Sequence, residues 1–390
     1  MLRREARAPR LRLLVATGVG LVGVGVGLGV LQISAPPAPR PASSAPCAVA
    51  VPVSVPSPVP GPPPAPAPGP GTVDEPIKLI AAASDAPVIA VATTRRVWVS
   101  RDGGETFSRA LAGDGQISSL VVEPGGRVYA MRVDAWTHRQ TSELGILEPD
   151  GTERWRQLPD GGIPIDARDG RLVAMAGGGL AIGARAGDAW ERVPASRDWN
   201  PWRQAMGPDG VARFLATRIG GVDPALYLLA VRAGERARIV WRTPFSDGVG
   251  APSEVTPCAG FAGDRLHLVV RDRRPDPRTQ RRAGRLITVH GDGRAEARTL
   301  VGRVLDDEGL TCAIGGNDRA AYLSLRTRRT GHQIVRIDVA EPRSVADYTM
   351  AFDRIAVDAH GRLLFLAYGR LHRIAESGRS ALLLSGSDAQ

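Results

Sequence analysis

Lysine is nearly missing from this chain: Lys78 is the only one among 50 Lys and Arg in 390 residues. The formal charge of +10 therefore rests on arginine, which reads first as a codon bias. Basic charge alone speaks of solubility and non-specific attraction. Nucleic acid is accordingly not an expected partner. Cysteine is scarce too, at three, and Cys47, Cys258 and Cys312 lie too far apart for a Cys-x-x-Cys metal or redox motif. The six histidines, His138, His267, His290, His332, His360 and His372, lack the spacing of a zinc site. No glycine-rich loop opens a helix to cradle a phosphate, because the Gly-rich segments open short β-type runs. No metal and no cofactor are expected. Beyond Thr72 there is also no convincing amphipathic helix, which excludes the helical and α/β classes and leaves a sandwich, barrel or propeller.

What is present begins with an address. Residues 1–12 form a basic arm carrying Arg3, Arg4, Arg7, Arg10 and Arg12. Residues 13–33 follow as an apolar stretch without a charge, about the length a helix needs to cross a bilayer. Arginines before it and none after it until Arg40 put the amino terminus in the cytoplasm and the bulk of the chain outside. Two readings stand: a transmembrane signal-anchor, or a signal peptide cleaved to release a secreted protein. Residues 34–76 are dominated by Pro and Ala, a composition that stays extended and buries no core. They read as a linker holding residues 77–385 away from the membrane, with 386–390 as a tail.

The region 77–385 repeats. A short turn followed by an apolar run recurs at Ser84–Pro87, Pro124–Arg127, Arg168–Arg171, Gly207–Gly210, Ala262–Arg265, Asn317–Arg319 and Ala359–Arg362. The spacing of roughly 40 to 55 residues is that of one four-stranded propeller blade per unit. Phe107, Trp155, Trp190 and Trp241 fall in a shared phase on the last strand of the first four units, where they are expected between neighbouring sheets. The fold class is thus all-β, a seven-bladed β-propeller of four-stranded blades. In this phase the first unit opens near Lys78 and the seventh closes near Leu384 with no strand exchanged; a shift of one strand would instead make the amino-terminal segment complete the last blade.

One turn is more specific. Ser100-Arg101-Asp102-Gly103-Gly104-Glu105-Thr106-Phe107 resembles the Asp-box of sialidase-like and other BNR-repeat propellers, with Ser100, Asp102, Gly104, Thr106 and Phe107 on the motif and Phe where Trp is preferred. The chemistry suits a tight hairpin whose amides are satisfied by its own side chains. In those families the turn joins the third and fourth strands away from the ligand face, so the resemblance implies architecture. Sialidases would need three arginines, a Tyr activated by Glu and an Asp on one face. Arginine abundance discriminates nothing, and Tyr129, Tyr227 and Tyr322 read as inter-sheet aromatics.

A binding face is better motivated. Loops between second and third strands emerge on one face, and two neighbouring ones are basic. Unit five supplies Arg271, Arg273, Arg274, Arg278, Arg281 and Arg282, and unit six supplies Arg326, Arg328 and Arg329. Unit two has a related loop with Arg132, Trp136, His138 and Arg139. Such a surface suits an acidic protein or anionic glycan. Cys258 and Cys312 hold equivalent positions in units five and six, which permits either a disulfide between inner strands or two separately buried thiols. The expected function is a membrane-anchored, extracytoplasmic binding or scaffold module without catalysis. The alternatives are a sialidase-like glycoside hydrolase and a secreted adhesin or envelope-assembly factor.

Overall fold

In the computed structural model the described residues are 71–386, apart from 112, 114, 134–141, 158–162, 177–178, 185–188, 194–197, 220–224, 245–257, 272–282, 305–311, 328–330, 340–342, 349–353 and 375–378. The arm, the apolar stretch and the linker up to residue 70 lie outside them, as do Cys47 and the tail residues 387–390. No helix among the described residues is long and apolar enough to cross a membrane.

Seven antiparallel sheets account for the rest. Strand β1 is Gly71–Val73, and the first sheet is β2 (Leu79–Ala82), β3 (Ile89–Ala92), β4 (Val97–Ser100) and β5 (Ser108–Ala110). The second holds β6 (Gln116–Val122), β7 (Val128–Val133), β8 (Ser142–Leu147) and β9 (Glu153–Gln157). The third holds β10 (Ile163–Arg168), β11 (Arg171–Ala176), β12 (Gly179–Ala184) and β13 (Ala189–Arg192). The fourth holds β14 (Trp199–Met206), β15 (Ala212–Arg218), β16 (Ala225–Val231) and β17 (Arg238–Pro244). The fifth holds β18 (Ala259–Ala262), β19 (Arg265–Arg271), β20 (Ala283–Val289) and β21 (Ala295–Val304). The sixth holds β22 (Cys312–Gly316), β23 (Ala321–Thr327), β24 (Gly331–Arg336) and β25 (Arg343–Tyr348), and the last β26 (Arg354–Val357), β27 (Leu363–Ala367), β28 (Arg370–Ile374) and β29 (Ser380–Gly386).

The first strand of every sheet touches the first strand of the next, and β26 touches β2, so the ring closes. This is a seven-bladed β-propeller of four-stranded blades. Each pair of neighbouring blades encloses one apolar cluster, from Val128 and Leu147 between blades one and two to Phe365 and Ile374 between blades six and seven. The sheets bury both faces in this way, which is why their middle strands read as continuous apolar runs. Leu226, Leu228 and Leu229 of β16, for example, are all fully buried.

The seam differs from the expectation. Gly71, Thr72 and Val73, inside the segment read as linker, pair in parallel with Leu384, Ser385 and Gly386 and add a fifth strand to blade seven. Val73 and Ile77 are buried in the cluster shared by blades seven and one.

Trp241 also departs from the shared phase. Phe107, Trp155 and Trp190 pack toward the preceding blade, whereas Trp241 packs toward the following one, against Leu226, Leu228 and Leu266. A bulge causes this: Leu228 pairs with Trp241 and Leu229 with Ile239, leaving Val240 as the extra residue. One inserted residue sends the next side chain to the opposite face.

Candidate functional site

The inner strands surround a channel, and their turns form one face of the ring. Successive turns are pinned together by side chains. Asp85 accepts from the Gly125 amide at 2.7 Å, Glu123 from the Gly170 amide at 3.1 Å, and Asp166 from the Met206 amide at 2.6 Å. Between the last two blades Asn317 donates to the Asp358 carbonyl at 2.9 Å. Each contact ties a backbone group of one blade to a side chain of its neighbour.

At the turn-side mouth of the channel a cavity of about 300 Å³ is lined by Ser84, Asp166, Arg168, Arg203, Asn317 and Asp318 among others. Arg168 of blade three donates to Asp318 of blade six at 3.1 Å, spanning the channel. Arg203 donates to the carbonyls of Ala259 and Trp202, both at 2.9 Å. Burial pushes the Asp166 carboxyl up to about 6, against the pull of the Met206 and Ala167 amides and of Arg168. Burial and the nearby Arg354 lower the pKa of Arg203.

The Asp-box turn forms a closed set of hydrogen bonds. Ser100 Oγ accepts the Gly104 amide at 2.7 Å and donates to Asp102 at 2.7 Å. Asp102 also accepts the Glu105 and Thr106 amides, each at 3.0 Å, and the Thr106 hydroxyl at 2.5 Å. Slight burial acts to raise its pKa, yet the hydrogen bonds from Ser100, Thr106 and Glu105 hold it well below the usual carboxylate range. Gly104, at φ 99°, sits so close to Leu383 of β29 that a Cβ would lie 2.9 Å from that side chain. Arg373 of blade seven donates to the Gly103 carbonyl at 2.7 Å. Phe107 packs on the cluster between blades seven and one. All of this serves the seam, and no part of it faces the channel cavity.

One tyrosine does meet a glutamate. Tyr129 donates to Glu123 at 3.0 Å, and Arg127 donates to the same carboxylate at 2.8 Å. Tyr129 is nevertheless fully buried between blades two and three. Burial and the Glu123 charge push its phenol far above its ordinary value, the opposite of an activated nucleophile. Tyr227 and Tyr322 are buried in the clusters of blades three/four and six/seven.

Of the basic loop residues, Arg271 ends β19, paired with Gly284, and Arg326 lies near the end of β23, paired with His332. Both mark the same face of adjacent blades. Arg273, Arg274, Arg278, Arg281, Arg282, Arg328 and Arg329 lie outside the described residues, as do Trp136, His138 and Arg139. Arg132 is engaged: it stacks on Trp155 at 4.1 Å and pairs with Glu143. Cys258 and Cys312 form a disulfide with Cα atoms 5.4 Å apart, joining blade five to blade six within the apolar cluster between them. The channel residues Asp166, Arg168, Arg203 and Asp318 were not singled out by sequence. For Asp166, Arg168 and Arg203 the available signal was a charge on an otherwise apolar inner strand; Asp318 lies in the turn after β22.

No protein-family model and no curated protein matches the chain. Solved structures do. One is PorZ, described as an essential bacterial surface component of the type-IX secretion system of Porphyromonas gingivalis, with a TM-score of 0.51 at 11% identity over 80% of this chain and 38% of that one. Another is YCF48 bound to a D1 peptide, with a TM-score of 0.47 at 13% identity over 77% of this chain and 91% of that one. The chain spans about two-fifths of the length of the PorZ chain it matches. At such identity the likeness to PorZ is one of fold, and the fold is the β-propeller.

Proposed function

We propose that the protein is a membrane-anchored, extracytoplasmic propeller that binds an acidic protein or anionic glycan through the loops of blades five and six, without catalysis. The observation that carries this reading is the Cys258–Cys312 disulfide, which ties together the two blades whose second strands lead into the arginine-rich loops. A cross-link between the lead-in to β18 and the first residue of β22 holds blades five and six together, and with them the ends of β19 and β23. A disulfide also suits an oxidising compartment outside the cytoplasm, in keeping with the basic arm and apolar stretch of residues 1–33. The Tyr129–Glu123 pair, sealed between blades two and three, is not the open-face nucleophile that the glycosidase alternative needs. PorZ, a bacterial surface component, is a precedent for this fold outside the cell.

The test is retention of the full-length, detergent-solubilised protein on immobilised lipopolysaccharide and on an acidic protein. Wild type should be retained at low salt and elute as salt rises. The Arg273→Ser/Arg274→Ser/Arg281→Ser/Arg282→Ser variant should elute at markedly lower salt. Equal elution of the two would refute the assignment of the loops, and turnover of a fluorogenic glycoside that co-purifies with the protein would refute the non-catalytic role.

A further inference from the structure

The seven inner strands are almost free of charge. Apart from the bridged Cys312, they hold four ionisable side chains: Asp166, Arg168, Arg203 and Arg354. Two of these four are already satisfied. Arg168 is paired with Asp318, and Asp166 accepts the amides of Ala167 and Met206. The other two are not matched by any carboxylate among the described residues. Arg203 gives only two of its N–H donors to carbonyls, and Arg354 is exposed at the head of its strand.

Their placement brings them to one level. Arg203 stands three residues before Met206, the last residue of its strand, which pairs with Ala212. Arg354 stands three residues before Val357, the last of its own strand, which pairs with Leu363. Blades four and seven lie on opposite sides of a seven-membered ring, so the two arginines, both exposed, stand at one level on opposite walls of the channel. Two like charges directed into one channel repel each other, and an anion between them reverses the sign of that interaction. The lowered pKa of Arg203, due to burial and then to Arg354, agrees with this proximity.

We propose that the channel is a binding site for a small singly charged carboxylate, clamped between Arg203 and Arg354, with its remainder in the cavity of about 300 Å³ that Arg203 lines on the turn side. A guanidinium fork fits carboxylate and phosphate alike. The carboxylate of Asp166, one residue nearer the turns than the level of Arg203, decides between them, because a dianion would meet stronger repulsion than a monoanion. The polar lining from Ser84, Asn317 and Gln204 suits a ligand bearing hydroxyl groups. This site is separate from the loops of blades five and six, and its test does not depend on them.

The experiment is calorimetric titration of the full-length protein with sodium gluconate, against inorganic phosphate at equal ionic strength. Gluconate should bind saturably, and Arg203→Gln and Arg354→Gln should each weaken it at least tenfold. Arg294→Gln, on an exposed turn of blade five, should leave it unchanged. Arg354→Gln carries the decision if Arg203→Gln misfolds, since Arg354 begins its strand and makes no ion pair among the described residues. Asp166→Asn should tighten binding at neutral pH by removing the facing charge. Absence of saturable gluconate binding, binding by both arginine variants as tight as wild type, or preference for phosphate would overturn the proposal.

Discussion

Arg168 and Asp318 meet at 3.1 Å across the propeller's channel although 150 residues separate them in sequence. The pair ties blade three to blade six directly, bypassing the blades between, and narrows the turn-side mouth. The Asp318 side chain is 41% exposed and that of Arg168 19%, so solvent screens their attraction. Such pairs contribute about 0.2–1 kcal/mol. A double-mutant cycle of Arg168→Gln and Asp318→Asn, read by urea denaturation, should give a coupling in that range that shrinks as salt is added. A coupling unaffected by salt would mean the pair is not solvent-screened as described.

Asp102 should matter more than its exposure suggests. It organises the turn by accepting two amides and two hydroxyls, and through Gly104 and Phe107 that turn is seated on blade seven. Asp102→Ala removes these bonds from a solvent-exposed turn and should destabilise the ring by about 0.5–1.5 kcal/mol. Because the folded pKa is depressed below the unfolded value, the stabilisation is full above about pH 4 and fades as pH falls. Thermal melts of wild type and variant should therefore converge in acid and separate at neutral pH. Parallel curves across that range would exclude the ionised carboxylate as the source.

The Cys258–Cys312 bond closes a chain separation of 54 residues. Chain-entropy reasoning gives such a cross-link about 4 kcal/mol. Replacing both cysteines by serine should lower the melting temperature, and adding reductant should do the same to wild type alone. Thiol titration of the unreduced, denatured protein should then find only Cys47 reactive within each chain. Three reactive thiols would remove the cross-link and with it the argument that it holds blades five and six together.

Removing β1 should loosen the seam. Deleting residues 1–73 strips Val73 from the apolar cluster around Leu364, Leu371 and Leu384 and exposes the edge of β29. Losing one buried Val and its ladder should cost about 2–3 kcal/mol. Hydrogen exchange should accelerate first in β29 and β28. Uniform acceleration around the ring would mean that the seam carries no special share of the stability.

How far the sequence spoke depended on whether each feature was local. The seven turns were legible because Gly, Asp and Asn mark a hairpin wherever they flank an apolar run, and every one of them joins the first two strands of a blade. The Asp-box was legible for the same reason: its bonds run within seven residues. Trp241 misled because the bulge at Val240 leaves no mark in composition, yet it reverses a face. Strand β1 was hidden beside prolines that argue for a linker. The meeting of Arg168 with Asp318, and of Arg203 with Arg354 at one level, depends on ring closure, which no local pattern reports.

His267 and Asp166 should give the protein opposing responses to acid. His267 is buried in β19, its Nδ1 3.1 Å from Thr288 Oγ1 and its Nε2 without a partner among the described residues. Burial, with Arg265 adding to it, lowers its pKa to about 4, while Asp338 acts the other way. An unfolded histidine takes its proton near 6.5, so between pH 6.5 and 4 the unfolded chain binds more protons and stability falls as pH drops, by about 3 kcal/mol in full. For Asp166 the folded value of about 6 lies above the unfolded one. Between pH 6 and 4 the folded chain therefore binds the extra proton, and stability rises as pH drops. The two slopes offset each other in wild type. His267→Asn, which keeps a partner for Thr288, should leave a protein that gains stability from pH 6 to 4, and Asp166→Asn one that loses it more steeply than wild type. Urea midpoints across that range measure both, and identical slopes in all three proteins would show that neither group titrates as its burial requires.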